Sequence, residues 1–224
     1  MERGIISADT SAILFDETMT SVEPARTLTI RRRVKEAQQE FEITALYVTH
    51  DQHEALTFAE QVAIMRDGRL VQYDSGETLY ENPVNTFIGH FIGSPGMNLL
   101  ECGVTENDAA PHAQIGPHTI SVSADIHDEI DLSWTDCQIG IRPSSVTVQV
   151  ADPKEDTDYI PATVDQVEMV GGYQILTTRL DDTEVEVKAR VAHDFMIEEG
   201  ASIWLNFPPD TVQFFHEKQA VHAQ

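Results

Sequence analysis

The chain changes its hydrophobic pattern near residue 95, and this change limits the possible folds more than any other feature. Before "GSPGMN" (93–98), short apolar runs alternate with segments of helical spacing. After it, the helical periods end, and short β-rich runs such as "YQILTTRL" and "SIWLNF" recur between turn signals. Two different hydrophobic patterns in one chain favour two domains. We therefore predict an α/β domain over 1–95 and an all-β domain, a small barrel or sandwich, over 96–224.

The hydrophobic pattern of residues 12–95 predicts alternating strands and helices. "AILF" and "TALYV" have the composition of short strands buried in a parallel sheet. Pro24 suits the first turn of the helix between them, and the turn residues Asp67-Gly68 predict a hairpin. A further helix is expected to begin at Asn82-Pro83. The apolar face of the first helix is predicted to contain Ile30, Val34, Ala37 and Phe41.

Charge excludes some partners. The 224 residues carry a net charge of −24, of which −17 falls on residues 101–224. Nucleic-acid binding needs a basic footprint, and an anionic lipid surface attracts bases, so both are disfavoured. No apolar run is long enough for a membrane helix, so we expect no direct membrane insertion. The two cysteines, Cys102 and Cys137, form no C-x-x-C pair, which indicates a reducing compartment such as the cytoplasm.

Acidic and imidazole side chains follow the two predicted strands. Asp16 and Glu17 come directly after the first strand, and His50 follows the second in "LYVTH". The carboxyl ends of parallel strands meet at one edge of a sheet, where ligands bind. There, Asp16 would hold Mg²⁺, Glu17 would orient or deprotonate a water, and His50 would contact a transferred phosphate. The residues thus predict phosphoryl transfer, which depends on positioning and charge neutralisation.

A metal site is the rival interpretation of "THDQHEALTF". His50 and His53 are three residues apart, which zinc could use together with Glu54. The order H-D-Q-H-E matches neither zinc-protease motif, and the sequence offers no evident third ligand. We therefore expect His53 to be an exposed helix residue.

These motifs give the chain a close resemblance to a known family. From Ala12 to Asn98 the chain resembles the ATP-hydrolysing subunits of ABC importers in its motifs and in their order. The matching segments are "LFDETMTSVEP" and "LYVTHDQHEALTFAEQVAIMRDGRLVQYDSGETLYENPVNTFIGHFIGSPGMN". Within these the chain is similar to the carbohydrate and polyol branch, and "DETMTSVEP" resembles the glycerol or glycerol-phosphate importers in particular. In the second part, "GIRPSS" (140–145) resembles the Gly-x-Arg-Pro-Glu signature of the accessory TOBE domain, an OB-like barrel.

The resemblance implies a role for each matching residue. Asp16 corresponds to the Walker B carboxylate for Mg²⁺, Glu17 to the catalytic base, and His50 to the switch histidine on the γ-phosphate of ATP. Ser21 and Glu23 fall in the D-loop, where Glu23 replaces the usual aspartate. The implied partners are a second ATPase subunit, identical or paralogous, and membrane permease subunits. The implied location is cytoplasmic and peripheral at the inner face of the membrane.

Other family motifs do not occur in these 224 residues. The phosphate-binding G-x-x-x-x-G-K-[ST] loop, the glutamine loop and the Leu-Ser-Gly-Gly-Gln signature are absent. We therefore expect the C-terminal part of a P-loop NTPase ABC domain followed by a TOBE domain. By itself the chain is expected to bind ATP poorly and hydrolyse almost none. A non-catalytic dimerisation or regulatory subunit, or a gene fragment, remains the alternative to a catalytic portion of a sugar, polyol or glycerol-phosphate importer.

Overall fold

The structure, a computed structural model, describes residues 12–16, 24–107, 110–153 and 159–222. Glu17, Ser21 and Glu23 therefore lie outside the described residues. Two compact units form: one runs to Val62 and includes Tyr73–Glu77, and the other comprises Ala63–Gln72 and the chain from Thr78. None of the helices in the described ranges is both long enough and apolar enough to span a membrane.

The first unit contains a parallel pair of strands. Strands β1 (Ala12–Asp16) and β2 (Thr44–Val48) are connected by helix α1 (Pro24–Phe41). Helix α2 (Gln52–Phe58) follows β2. The predicted strand positions and the helix start at Pro24 agree with these bounds.

Only one face of this strand pair is covered in the part of the chain that the structure describes. Ile13, Phe15 and Ala45 face an apolar gap of about 190 Å³ that Val34 and Ala37 of α1 also line. On the opposite face, Leu14 and Leu46 are paired in register and are 62% and 59% exposed. In the described residues a single helix covers this pair, so the strands predicted to be buried have one covered face and one exposed face. Phe41 is also exposed rather than apolar-facing, since it is the last residue of α1.

A hairpin follows α2. Strands β3 (Val62–Arg66) and β4 (Arg69–Asp74) pair with each other. At the turn, Asp67 and Gly68 both have positive φ, 51° and 74°, as a two-residue type I′ turn requires. The structure thus contains the hairpin that the Asp-Gly pair predicts.

Two short helices precede the β-rich part. Helix α3 (Gly76–Glu81) was not predicted, and α4 (Thr86–Phe91) begins later than the predicted start at Asn82-Pro83. The later start has a local cause: the Asn85 side chain accepts a hydrogen bond of 3.0 Å from the Ile88 amide and caps the helix.

The remaining strands form two antiparallel sheets, as the all-β prediction requires. The six-stranded sheet has the order β15-β14-β8-β5-β6-β7, and the five-stranded sheet has the order β12-β11-β10-β13-β9. Their bounds are β5 (Asn98–Asn107), β6 (Ala110–Ile115), β7 (His118–Ser121), β8 (Cys137–Ile141), β9 (Thr147–Gln149), β10 (Tyr159–Val170), β11 (Tyr173–Leu180), β12 (Glu186–Ala192), β13 (Ser202–Asn206), β14 (Gln213–His216) and β15 (Gln219–Ala220). Short 3₁₀ helices occupy Ala124–Glu129 and Pro209–Thr211.

One apolar core lies beneath both sheets. Ile139 of the six-stranded sheet and Leu176 and Leu205 of the five-stranded sheet are fully buried members of it. The Asn98 side chain links the sheets as well. Asn98 Nδ2 donates to the Lys188 carbonyl, and Asn98 Oδ1 accepts from the Lys188 N–H, both at 2.8 Å. These two hydrogen bonds connect β5 of one sheet to β12 of the other.

Residues 78–95, assigned by sequence to the first domain, belong to the compact unit of the β sheets. Arg142 is one cause: it is 5% exposed and donates to the backbone carbonyls of Tyr80, Gly89 and Ile92. Its guanidinium carbon also lies 4.2 Å from the centre of the Tyr80 ring. Burial lowers the pKa of Arg142 to about 10, which leaves it charged at neutral pH. A buried cation with these acceptors holds α3 and α4 against β8.

The "GIRP" stretch thus has a packing role at each named residue. A side chain at Gly140 would bring a Cβ within 2.7 Å of Phe215 Cε2, so a glycine is required by space alone. Arg142 holds the two short helices, and the Pro143 carbonyl accepts a 2.7 Å hydrogen bond from the Arg190 amide.

Candidate active site

The candidate site lies at the carboxyl end of the parallel strand pair. Asp16 is the last residue of β1 and is paired with Val48, the last residue of β2. His50 follows Val48 by two residues, roughly 7 Å of extended chain. Both Asp16 and His50 are exposed. The structure therefore brings these two predicted residues to one edge of the pair.

A hydrogen-bonded turn fixes the backbone around His50. Thr49 Oγ1 accepts from the Asp51 amide at 3.0 Å and donates to Glu54 Oε2 at 3.0 Å. Asp51 Oδ1 accepts from the Glu54 amide at 3.1 Å and caps α2. The Tyr47 hydroxyl donates to the same Glu54 oxygen at 3.3 Å. His50 is held between a strand end and a capped helix, a rigid support for a residue that must meet a ligand at a fixed position.

Aromatic packing supports the same turn from within the unit. The Tyr47 ring lies 6.1 Å from Phe15, its partner in register on β1, and 6.0 Å from Phe58 at the end of α2. Tyr47 therefore joins the end of β1, the end of β2 and α2. Sequence analysis missed this role of Tyr47 and Thr49. The Asp51-x-x-Glu54 spacing, close to a capping box, is the signal that could have indicated the turn.

The carboxylate of Asp16 fits a Mg²⁺ ion that is shared with nucleotide phosphates. Mg²⁺ in nucleotide sites is held by one or two carboxylates, with substrate phosphates and waters completing its octahedron. Asp16 is exposed at a strand end, where a phosphate-bound ion could reach it. Glu17, the predicted base, lies outside the described residues.

The rival interpretation of this stretch is a zinc site at His50, His53 and Glu54. Within the described ranges, no group of three or more histidine, cysteine, aspartate or glutamate side chains is arranged to hold a metal ion. Glu54 instead binds Thr49 and Tyr47, and His53 is exposed on α2, as expected.

Known proteins match the chain in sequence. The family model described as TOBE domain matches residues 139–215. The sn-glycerol-3-phosphate import ATP-binding protein UgpC of Yersinia enterocolitica is 28% identical over 224 residues, which is 100% of this chain and 60% of the relative. The protein of the same name from Salmonella typhimurium is 30% identical over 93% of this chain and 55% of its own length. UgpC 3 of Agrobacterium fabrum is 33% identical over 72% of this chain and 42% of its own length.

A solved structure is also similar. The cytoplasmic molybdate-binding protein ModG, with molybdate bound, aligns with 53% of this chain and 94% of its own, with a TM-score of 0.41 and 10% identity. That likeness is too slight to support an inference about a ligand.

The sequence matches confirm the family resemblance and the TOBE assignment, while the roles of Asp16, Glu17, His50, Ser21 and Glu23 stay predictions. The chain spans a little over half the length of the first relatives that it matches. It is a homologue of the sn-glycerol-3-phosphate import ATP-binding proteins over that part, and it carries a TOBE domain at residues 139–215.

Proposed function

We propose that this chain supplies the C-terminal part of an ATP-hydrolysing subunit of an ABC importer, which energises uptake of glycerol-3-phosphate or a related sugar or polyol. The observation that carries the proposal is the parallel register of β1 and β2, which brings Asp16 and His50 to one edge. The homologous import ATP-binding proteins, matched along the whole chain, support the choice of solute class. The first unit is then the C-terminal part of a P-loop NTPase domain, and the β unit contains an OB-like barrel.

The residues at the sheet edge have separate tasks in this proposal. Asp16 would hold Mg²⁺ jointly with the nucleotide phosphates, and the ion would neutralise phosphate charge. His50 would bind the γ-phosphate from the turn that Thr49 and Glu54 support. Glu17, next in sequence to Asp16, would orient or deprotonate the attacking water. Ser21 and Glu23 would lie at the interface with a second ATPase subunit.

The proposed partners are another ATPase segment or subunit and a membrane permease. A phosphate-binding G-x-x-x-x-G-K-[ST] loop does not occur in these residues, so the chain must meet such a loop in another segment or subunit. A membrane permease would receive the energy of hydrolysis, which places the protein in the cytoplasm at the inner face of the membrane. The competing proposal is a non-catalytic subunit whose β unit dimerises or binds a regulator.

Fragment complementation tests the catalytic proposal. The chain is co-expressed with the N-terminal portion of the Salmonella relative, which would supply the missing motifs, and ATP hydrolysis by the purified complex is measured. We expect hydrolysis to require both fragments and to fall by about 10²–10⁴ in His50→Ala, as for loss of a positioned catalytic group. His53→Ala, an exposed histidine on the neighbouring helix, is the matched control and should retain activity.

Two results would count against the proposal. If His50→Ala and His53→Ala complexes hydrolyse ATP equally, the strand-edge site has no catalytic role and the non-catalytic alternative is favoured. If the 224-residue chain alone hydrolyses ATP rapidly and loses this activity in Glu17→Gln, the requirement for an external phosphate loop is wrong.

A further inference from the structure

The two cysteines of the chain, 35 positions apart in sequence, lie opposite each other in the six-stranded sheet. Strands β5 and β8 pair antiparallel, and the last pair of their ladder is Cys102 with Cys137. Residues directly opposed on antiparallel strands point to the same face. Both thiols are free, and both side chains enter the shared core, with exposures of 9% and 3%. The register thus directs both side chains to the same, buried face of the sheet.

The pair lies where the ladder ends. Cys137 is the first residue of β8, and after Cys102 the strand β5 leaves β8, so that Gly103 pairs with Gln114 of β6. An open depression of about 650 Å³ is lined by both cysteines and by polar residues that include Asp136 and Thr183. The thiols are buried beside this depression, so local opening at the end of the β5–β8 ladder would be needed to admit a small reagent from it.

Strand geometry is close to that of a disulfide. Opposed antiparallel residues have Cα atoms about 4.5–5.5 Å apart, within the range of about 4.4–6.8 Å found across disulfides. Their Cβ atoms are about 4.5–5.5 Å apart, against about 3.8 Å in a disulfide, so closure needs an approach of roughly 1 Å. That movement is small for the terminal pair of a ladder.

We propose that Cys102 and Cys137 are a redox modification site, in which a low-molecular-weight disulfide such as oxidised glutathione drives formation of a reversible intramolecular disulfide. One cysteine thiolate attacks the small disulfide, whose S–S bond breaks and releases one thiol. The second cysteine thiolate then attacks the mixed disulfide and releases the other thiol. Two protein thiols are oxidised, the small disulfide is reduced to two thiols, and the two cysteine protons go to the leaving groups.

The bond would have a defined structural effect. It would join β5 to β8 at the point where β5 passes from β8 to β6, and it would enclose residues 103–136, which include β6 and β7. Burial raises the pKa of both thiols, which keeps them protonated near neutral pH. Closure is therefore slow at neutral pH and faster in alkali, so the site responds to sustained oxidation rather than to brief exposure. This inference is independent of the proposed ATPase role.

The test is a redox equilibrium on the full chain. The folded chain and the urea-unfolded chain are each equilibrated at mildly alkaline pH with mixtures of oxidised and reduced glutathione, quenched with acid, alkylated and analysed by mass spectrometry. We expect a product that lacks two hydrogens and takes up no alkyl group, with a Cys102–Cys137 cross-link in the peptide map. A disulfide that stabilises the folded chain must form more readily in the folded chain than in the unfolded chain. The effective concentration of the two thiols should therefore be at least about tenfold higher in the folded chain. Cys102→Ser and Cys137→Ser are the matched controls and can form only glutathione adducts.

Contrary results are equally definite. A glutathione adduct that persists on the folded wild-type chain, or a disulfide between two chains on a non-reducing gel, would overturn the proposal. So would an effective concentration in the folded chain no higher than in the unfolded chain, because the fold would then not favour the bond.

Discussion

Replacing Arg142 with methionine should destabilise the β unit far more than a typical surface substitution. Methionine has a long flexible side chain but has no donor for the carbonyls of Tyr80, Gly89 and Ile92, which the guanidinium now satisfies. The substitution therefore tests whether one buried cation holds α3 and α4 on the sheet.

The magnitude follows from what each acceptor loses. Gly89 keeps a second donor, the Met97 amide at 3.1 Å, so the cost falls mainly on the carbonyls of Tyr80 and Ile92. A buried acceptor left without its hydrogen bond costs about 1–3 kcal/mol, and the contact with the Tyr80 ring adds about 0.5–1 kcal/mol. Removing a buried charge returns part of this cost. We expect a net decrease of about 2–4 kcal/mol in the free energy of unfolding.

Tryptophan fluorescence in urea is a selective assay. Trp134 and Trp204, the two tryptophans of the chain, both belong to the β unit, so intrinsic fluorescence follows the unfolding of that unit. Arg190→Met is the matched control. Arg190 lies 4.3 Å over the Tyr173 ring but is exposed, and its loss should cost less than about 1 kcal/mol.

Comparison of the two variants decides the question. If Arg142→Met and Arg190→Met shift the urea midpoint equally, the buried guanidinium does not hold the short helices and the reasoning is refuted. Arg142→Lys should fall between wild type and methionine, since one ammonium cannot span three acceptors as a planar guanidinium does.

Two further predictions concern the β unit. Asn98→Leu should lower the free energy of unfolding by about 2–4 kcal/mol, because the Lys188 N–H and carbonyl both lose their partner. Gln149→Leu, at a half-buried site whose side chain binds only the nearby Ala151 carbonyl, should change it by less than about 1 kcal/mol. Equal effects of the two substitutions in urea titrations would contradict the tie between the sheets. Burial raises the pKa of Cys102 from 9.0 to about 12, so its contribution to stability should be complete below pH 9.0 and lost as pH rises towards about 12, because only the unfolded thiol ionises in that window. Urea midpoints measured with reductant should therefore fall more steeply with pH in wild type than in Cys102→Ala, and identical slopes would show that the thiol is not protected by burial.

Local signals in the sequence were enough for much of the fold. The apolar runs gave β1 and β2 close to their observed bounds, Pro24 marked the start of α1, and Asp67-Gly68 marked the hairpin turn. These features depend on neighbouring residues only. Helix α3 was missed because its six residues are too few to show a helical period and, unlike the equally short α4, it follows no Asn-Pro pair that signals a helix start.

Features set by tertiary structure could not be found in this way. The opposition of Cys102 and Cys137 depends on the register of two strands separated by β6 and β7, so no spacing in the sequence indicates it. The packing of residues 78–95 with the β sheets depends on the acceptors that Arg142 finds in the fold, although the Gly-x-Arg-Pro signature marked the arginine itself. At the candidate site, strand order was enough to predict that Asp16 and His50 share an edge, whereas the Thr49–Glu54 support became visible only in three dimensions.

The chain passes between its two compact units three times, after Val62, after Gln72 and after Glu77. A single cut therefore never yields two complete pieces: cleavage after Val62 leaves Tyr73–Glu77 with the wrong fragment, and cleavage near residue 95 divides the β unit itself. Exchange of the TOBE region between relatives as a cassette would have to carry the hairpin segment Ala63–Gln72 as well as everything from Thr78. A chimaera joined near residue 95, the boundary that the hydrophobic pattern suggests, would combine Arg142 from one parent with the short helices α3 and α4 from the other.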